Sequence, residues 1–253
     1  MLRPTGLQLY PAHGANNSAE AVYDQDGLRS IHNHEFILGP RFNKAYQRGV
    51  QAAGDDYKWH WRVHVGLWAA YAASQLAGDF VECGVNRGFL SSAIMDYLDW
   101  NQLDRRFFLL DTFKGIDLRY ATEGELADGI ADKNARTIAS GFYTLDEAAV
   151  RRNFAEWSRV TIVPGSIPDT LPQITSSRIA FVHMDLNCSQ PEVAAMRFLW
   201  DRLVPGAFVV LDDYAYYGYR SQLVGMDEFA RSAGIQVLSL PTGQGLLVKP
   251  ASR

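Results

Sequence analysis

Cysteine is scarce in this chain, with only Cys83 and Cys188 among 253 residues. At most one bridge can form, and both stand in strongly patterned segments where a small hydrophobe serves equally well. Both are expected to be reduced, and the compartment to be the cytoplasm. Long apolar runs are also missing: the longest, 66–73, falls well short of the roughly 20 residues a bilayer requires. The opening residues lack a basic stretch followed by an apolar core, so no targeting segment is expected. Neither sign of charge dominates. Twenty-four basic against 28 acidic residues leave −4, which gives no electrostatic footprint for nucleic acid. No repeat, low-complexity tract or like-charge block occurs, which excludes a solenoid or a flexible tail. What is present is ordinary globular usage, 47% hydrophobic and 21% charged. The length favours one large domain with an accessory segment.

The first forty residues carry Pro4, Pro11, Gly14, Asn16, Asn17, Gly27, Asn33 and Pro40, a density of turn formers that reads as an arm or lid. The spacing of Phe42, Ala45, Tyr46 and Val50 predicts a helix over 41–53, and Trp61, Val65, Trp68 and Ala72 predict another ending before Gly78. Residues 1–77 are thus expected to form an arm and helical lid, and 78–253 the main domain. After Gly78 short, largely apolar strands at 80–83, 107–110, 160–163, 179–182 and 208–211 alternate with helical patterns at 90–100, 144–157, 191–203 and 222–232. Strands apolar on both faces and separated by helices imply a parallel sheet covered on both sides. The last two, 235–240 and 246–249, are close enough for a hairpin, so the final strand should be antiparallel. The expected class is α/β, a Rossmann-like doubly wound sheet with an antiparallel last strand.

Ligands of such sheets sit beyond the carboxyl ends of the strands, and here those ends carry acids. In the loop after the first strand, Gly84 and Gly88 permit a tight turn and close approach, and the next helix N-terminus favours an anionic group. Glu82 would repel a pyrophosphate but attract a ligand ammonium. Asn86 stands where a dinucleotide fingerprint requires its middle glycine. Asp111, 23 residues past Gly88, is placed to accept the hydroxyls of a ribose. Ser166, in the turn after the third strand, can pass an adenine edge. A ligand with a ribose at one end and an amino acid at the other satisfies these positions, and S-adenosylmethionine is that ligand. Asp185, Asp212 and Asp213, at two successive strand ends, make a cluster that suits Mg²⁺ or a protonated acid. A bound ion there would lower the pKa of a substrate hydroxyl. His60 and His64 are spaced i, i+4, but Trp61 stands where a hydrolytic zinc motif has glutamate, so packing is expected. His183 is expected to be buried, His32 and His34 to reach the cleft from the arm, and Cys188 to be inert for lack of a histidine partner.

The run Gly78-Asp79-Phe80-Val81-Glu82-Cys83-Gly84-Val85-Asn86-Arg87-Gly88, with Asp111-Thr112-Phe113-Lys114-Gly115, Asp212-Asp213-Tyr214 and Leu240-Pro241-Thr242-Gly243-Gln244-Gly245, resembles the macrocin O-methyltransferase-like family of class I methyltransferases. The resemblance runs from about residue 40 to 250. It implies a seven-stranded Rossmann-like sheet, S-adenosylmethionine as donor, and methylation of a hydroxyl on a sugar or natural product. It further implies that Glu82, Gly84, Asn86, Gly88, Asp111 and Ser166 surround the donor, that Asp185, Asp212 and Asp213 hold Mg²⁺, and that Asp185 is the base. One departure stands out. Many relatives have Asp-x-Asp-x-Tyr where this chain has Asp185-Leu186-Asn187-Cys188-Ser189, so the second acid is an uncharged amide. The lysine base of catechol-type relatives has no counterpart, as Cys188 falls there, which leaves proton removal to Asp185 or a lid histidine. Tyr57, Trp61 and Arg62 are expected at the acceptor, and the aromatic-rich front segment suggests a homodimer. The alternatives are a metal-independent methyltransferase of the same fold and a degenerate nucleoside-binding subunit.

Overall fold

Apolar runs buried away from water must pair their backbone groups with one another, and here seven strands do so edge to edge in one sheet. The computed structural model describes residues 22–251; the turn formers Pro4, Pro11, Gly14, Asn16 and Asn17 lie outside them. A hairpin of β1 (Tyr23–Gln25) and β2 (Leu28–Ser30) comes first. Its turn residues Asp26 and Gly27 have φ of 52° and 71°, the left-handed conformation that two-residue hairpins require. Helix α1 (Pro40–Ala53) starts on a proline and stops at Gly54 in the left-handed region, and α2 (His60–Ser74) follows.

The main sheet contains β3 (Asp79–Cys83), β4 (Phe107–Asp111), β5 (Val160–Pro164), β6 (Ile179–Met184), β7 (Leu203–Leu211), β8 (Leu238–Ser239) and β9 (Gly245–Val248). They stand in the order β5-β4-β3-β6-β7-β9-β8. All adjacent pairs are parallel except those of β9, which runs antiparallel to both β7 and β8. The doubly wound, seven-stranded sheet with its antiparallel last strand is thus as expected. The connecting helices are α3 (Phe89–Tyr97), α4 (Glu123–Ala127), α5 (Ile130–Ala139), α6 (Glu147–Phe154), α7 (Ser189–Trp200) and α8 (Arg220–Ser232).

Side chains alternate across the strands, so each strand feeds two cores. Phe80, Phe107 and Phe181 meet Phe42, Tyr46 and Leu67 of α1 and α2 on one face. Val81, Phe108, Val182 and Val209 meet Met196, Leu199 and Phe229 of α7 and α8 on the other. The two front helices therefore share a core with the sheet. Three local readings differ from expectation. Asp146 accepts from the Ala149 amide at 2.8 Å and begins α6 there, later than the expected 144. β8 is only two residues long. Helices α4 and α5 stand where no element was expected; α4 is fixed by a capping box between Thr122 and Glu125. Among the described residues no helix is long and apolar enough to cross a membrane.

Candidate active site

β3 and β6 are neighbours whose chains leave in opposite directions, β3 towards β4 and β6 towards β7, so a crevice opens at their carboxyl ends. The ladder continues one step past the strands. Gly84 donates to the Leu110 carbonyl, Asp185 to Cys83, Gly165 to Asp111 and Asp212 to Met184, each at 2.8 Å. The acid-bearing loops are thereby held in register. At Gly84 φ is +91°, and a Cβ would lie 1.8 Å from the Asp185 carbonyl oxygen. Only glycine lets the first loop approach Asp185 this closely. Gly88 is needed for packing: its Cβ would meet the Phe154 ring at 2.5 Å.

A cavity of about 570 Å³ opens beside this point, lined by Asn86, Asp111, Ser166, Ile167 and Asp185 among others. One Asp111 oxygen accepts from the amides of Val85 (2.8 Å) and Asn86 (2.7 Å), the other from Phe113 (2.7 Å). A carboxylate has about four acceptor sites, so capacity remains for a ligand hydroxyl. Asn86 adopts φ of 48° and ties the glycine loop to 142–144, donating to the Phe142 carbonyl and accepting from the Thr144 amide. Ser166 donates to Asp117 at 2.5 Å, and the Arg119 guanidinium beside that carboxyl holds it well below the usual range.

A second cavity, of about 690 Å³, lies under the front helices and has an aromatic wall of Tyr57, Trp59, Phe89 and Phe142, with Arg62 and Glu82 at its floor. The two cavities share Gly84, Asn86, Tyr143, Asp185 and Asn187. Tyr57 and Arg62 line this second cavity, whereas Trp61 turns away and meets Phe36 and Tyr23 edge-on. His60 stacks on Tyr46 and His64 on Phe36, the packing roles expected of them, and burial lowers the pKa of both. His32 and His34 line neither cavity; His34 packs on Tyr23. The position of Phe142 and Tyr143, on a loop without periodic pattern, was not legible in the sequence. Cys83 and Cys188 are buried free thiols, and burial pushes Cys188 up to about 12, which suits an inert role.

Between the cavities the charges are paired. Glu82, 2% exposed, accepts from Ser91 and lies 2.9 Å from His183 Nδ1. These two residues are register partners on the same sheet face. His183 Nε2 is 3.5 Å from Asp212 Oδ1, an electrostatic contact rather than a hydrogen bond. Asp212 Oδ1 accepts from Gln244 Nε2 at 2.9 Å and Oδ2 from Arg62 Nη1 at 2.6 Å. Burial disfavours the charged Asp212, but Arg62 and His183 hold it well below the usual range. Burial and then Asp212 push Asp185 up to about 7 against the pull of His183 and Arg62. Burial followed by Asp185 raises Asp213, whose Oδ2 has no hydrogen-bond partner.

This donor set does not fit the expected magnesium ion. Resident donors occupy both oxygens of Asp212. Asn187 spends its carbonyl on the Tyr219 hydroxyl, and its amide donates to Asp185 Oδ1 at 2.6 Å. Among the described residues no three His, Cys, Asp or Glu side chains come together as a metal-holding group. Asp185, Asp212 and Asp213 do meet at one end of the sheet; Arg62, Gln244 and His183 answer the Asp212 charge, while Asp213 Oδ2 stays without a hydrogen-bond partner.

Similarity to known proteins points the same way as this geometry. The chain is 30% identical over 152 residues to 8-demethyl-8-(2,3-dimethoxy-alpha-L-rhamnosyl)-tetracenomycin-C 4'-O-methyltransferase of Streptomyces olivaceus, a match spanning 56% of this chain and 55% of that enzyme. It is 26% identical over 212 residues to demethyldecarbamoylnovobiocin O-methyltransferase of Streptomyces niveus, spanning 78% and 76%. Among solved structures, the O-methyltransferase NovP superposes with a TM-score of 0.66 at 22% identity, over 81% of this chain and 89% of that one, which shows a shared fold. The family model of the macrocin O-methyltransferases, TylF, matches residues 67–237, from within α2 to the approach to β8. That match takes in the switch-point crevice and both strand ends that carry its acids, and the chain belongs to the macrocin O-methyltransferase family.

Proposed function

We propose that this protein is an S-adenosylmethionine-dependent O-methyltransferase acting on a hydroxyl of a sugar or natural product. The observation that carries this reading is the meeting of two cavities at Asp185, one with a ribose-type acid and one with an aromatic wall. The names of both relatives, one an O-methyltransferase of a rhamnosyl-tetracenomycin and the other of demethyldecarbamoylnovobiocin, support the acceptor class.

S-adenosylmethionine, when bound, supplies an electrophilic methyl group. Asp111 would accept from a ribose hydroxyl, Ser166 and Ile167 would flank its base, and the Gly84–Gly88 loop would surround its amino-acid end, with Glu82 reaching it from the side of the second cavity. The 53–63 stretch of the front segment covers the acceptor, and Tyr57, Trp59 and Phe142 hold an apolar or sugar ring by stacking. Asp185 would take the hydroxyl proton as the oxygen–methyl bond forms and the methyl–sulfur bond breaks, leaving a neutral ether, a protonated carboxyl and S-adenosylhomocysteine. Holding both reactants in line at the shared wall supplies most of the remaining acceleration. Magnesium assistance is not part of this reading, because Arg62 and Gln244 already bond Asp212 and the Asn187 carbonyl is bonded to Tyr219.

Calorimetry with S-adenosylmethionine, S-adenosylhomocysteine and NAD tests the donor. Binding of the first two and not the third is expected, with Asp111→Ala weakening it by about tenfold or more for a lost charged hydrogen bond. Transfer of labelled methyl to a panel of glycosides and phenols then identifies the acceptor. Binding of NAD alone overturns the proposal, and donor binding without transfer across a broad panel favours a nucleoside-binding subunit.

A further inference from the structure

Arg62 is 8% exposed and sits in the first turn of α2, yet it contacts two other parts of the molecule. Its Nη1 donates to Asp212 at 2.6 Å, while Nε and Nη2 grip both oxygens of Asp26, each at 3.1 Å. The guanidinium lies 4.6 Å from the ring centre of Tyr216, whose hydroxyl donates to the same Asp26 at 3.2 Å. A planar fork bonded on two edges and stacked on an aromatic face is fixed in position. Gln244, itself held by Thr242 at 2.9 Å, fills the other Asp212 oxygen. A divalent ion binding Asp212 would compete with Arg62 for that carboxylate. It would also meet a fixed positive charge within a few ångströms, where repulsion is strong in a water-poor site.

We infer that Arg62 is the resident cation of the acidic pocket and that it takes the place of a divalent metal at Asp212. The inference rests on the methyltransferase reading only for its consequence, that transfer proceeds without added metal. The occupancy of the pocket stands by itself. Asn187 agrees with it. An amide in place of a second carboxylate lowers the negative charge a metal would need, and its oxygen is already bonded to Tyr219. Arg62 acts as a positioning residue: it fixes Asp212, and through the Asp212 charge it influences neighbouring Asp185.

The test is a titration of the full chain with Mn²⁺, followed by electron paramagnetic resonance, in the wild type and in Arg62→Ala and Arg62→Lys, with S-adenosylhomocysteine binding measured in parallel. The wild type is expected to bind no Mn²⁺ at millimolar concentration. Arg62→Ala should gain an Mn²⁺ site at least about tenfold tighter, abolished again by adding Asp212→Asn, and Arg62→Lys should stay without one. Retained S-adenosylhomocysteine binding shows that Arg62→Ala is folded. If Arg62→Ala is unfolded, the comparison of wild type with Arg62→Lys decides, because tight Mn²⁺ binding to either overturns the inference. A wild type that binds Mn²⁺ as tightly as Arg62→Ala overturns it, as does a folded Arg62→Ala that gains no site. Loss of S-adenosylhomocysteine binding in the wild type, with the Mn²⁺ pattern intact, instead sinks the donor assignment and leaves the role of Arg62 standing.

Discussion

Asp185 owes its suitability as a base to its surroundings. Burial and the Asp212 charge push its carboxyl up to about 7, while His183 and Arg62 limit the rise. A carboxylate accepts a proton only when ionised, so the rate of methyl transfer should climb as pH rises through about 7 and then level off. Asp185→Asn should lower kcat by roughly 10²–10⁴, the usual range for a lost general base, while S-adenosylhomocysteine still binds. A pH profile flat from 5 to 9, or an active Asp185→Asn, removes Asp185 from the reaction. His183 behaves oppositely. Burial alone would lower its pKa, but the Asp212 and Glu82 carboxylates raise it to about 10. Folded above its unfolded value of about 6.5, it contributes stability that is complete below that value and is lost as pH climbs through about 10. The urea midpoint of the wild type should therefore fall between pH 7.5 and 10, a window above the titration of Asp185. His183→Gln should show a shallower fall, and parallel curves would refute the assignment. The acids at positions 111, 185, 212 and 213 were legible because each ends an apolar strand. The role of Arg62 was not legible, since its partners stand 36 and 150 residues away and nothing local marks them.

Elements were read most faithfully where periodicity was strong. β3, β4, β6 and β7 are short, largely apolar and buried segments, and their buried pairing leaves one arrangement open to them. The 123–139 segment escaped because its two short helices are half exposed and depend on a capping box and on glycine turns at 129 and 141. The loop after β3 combines both kinds of information. Its glycines are visible in sequence, but the reason for Gly84 is a partner a hundred residues on. Alanine there meets two penalties: φ of +91°, and a Cβ 1.8 Å from the Asp185 carbonyl. Backbone strain of this kind costs about 1–3 kcal/mol before any displacement of the neighbouring strand. Gly84→Ala should thus lower Tm and weaken S-adenosylhomocysteine binding together, because the same shift opens the wall shared by the two cavities. Gly54→Ala is the control: it also has positive φ, 76°, but open space around its Cβ, so it should lower Tm while leaving binding intact. Equal binding losses in the two variants would refute the claim that the Asp185 contact is what makes Gly84 necessary.

At the scale of the molecule, a chain of charges crosses from the front hairpin to the middle of the sheet: Asp26 to Arg62, Arg62 to Asp212, and Asp212 towards His183 and Glu82. The hairpin β1–β2 is only three residues a side, and an isolated two-stranded ribbon is marginal in water. Its docking therefore depends on two anchors, the packed Tyr23 ring and the Asp26 carboxylate at its tip. Asp26→Asn keeps the shape of the turn, for asparagine tolerates the left-handed φ of 52°, but removes the charge that grips Arg62. The backbone amides of 23–30 should then exchange with deuterium about tenfold faster or more, while those of β3 and β6 remain protected, since local opening leaves the sheet intact. Salt should have little effect on the wild-type rates, because the Arg62 pairs are largely shielded from solvent. Unchanged exchange in Asp26→Asn would mean that Tyr23 alone docks the hairpin. Faster exchange across the whole sheet would mean that the charge chain holds the fold together rather than the front segment to the site.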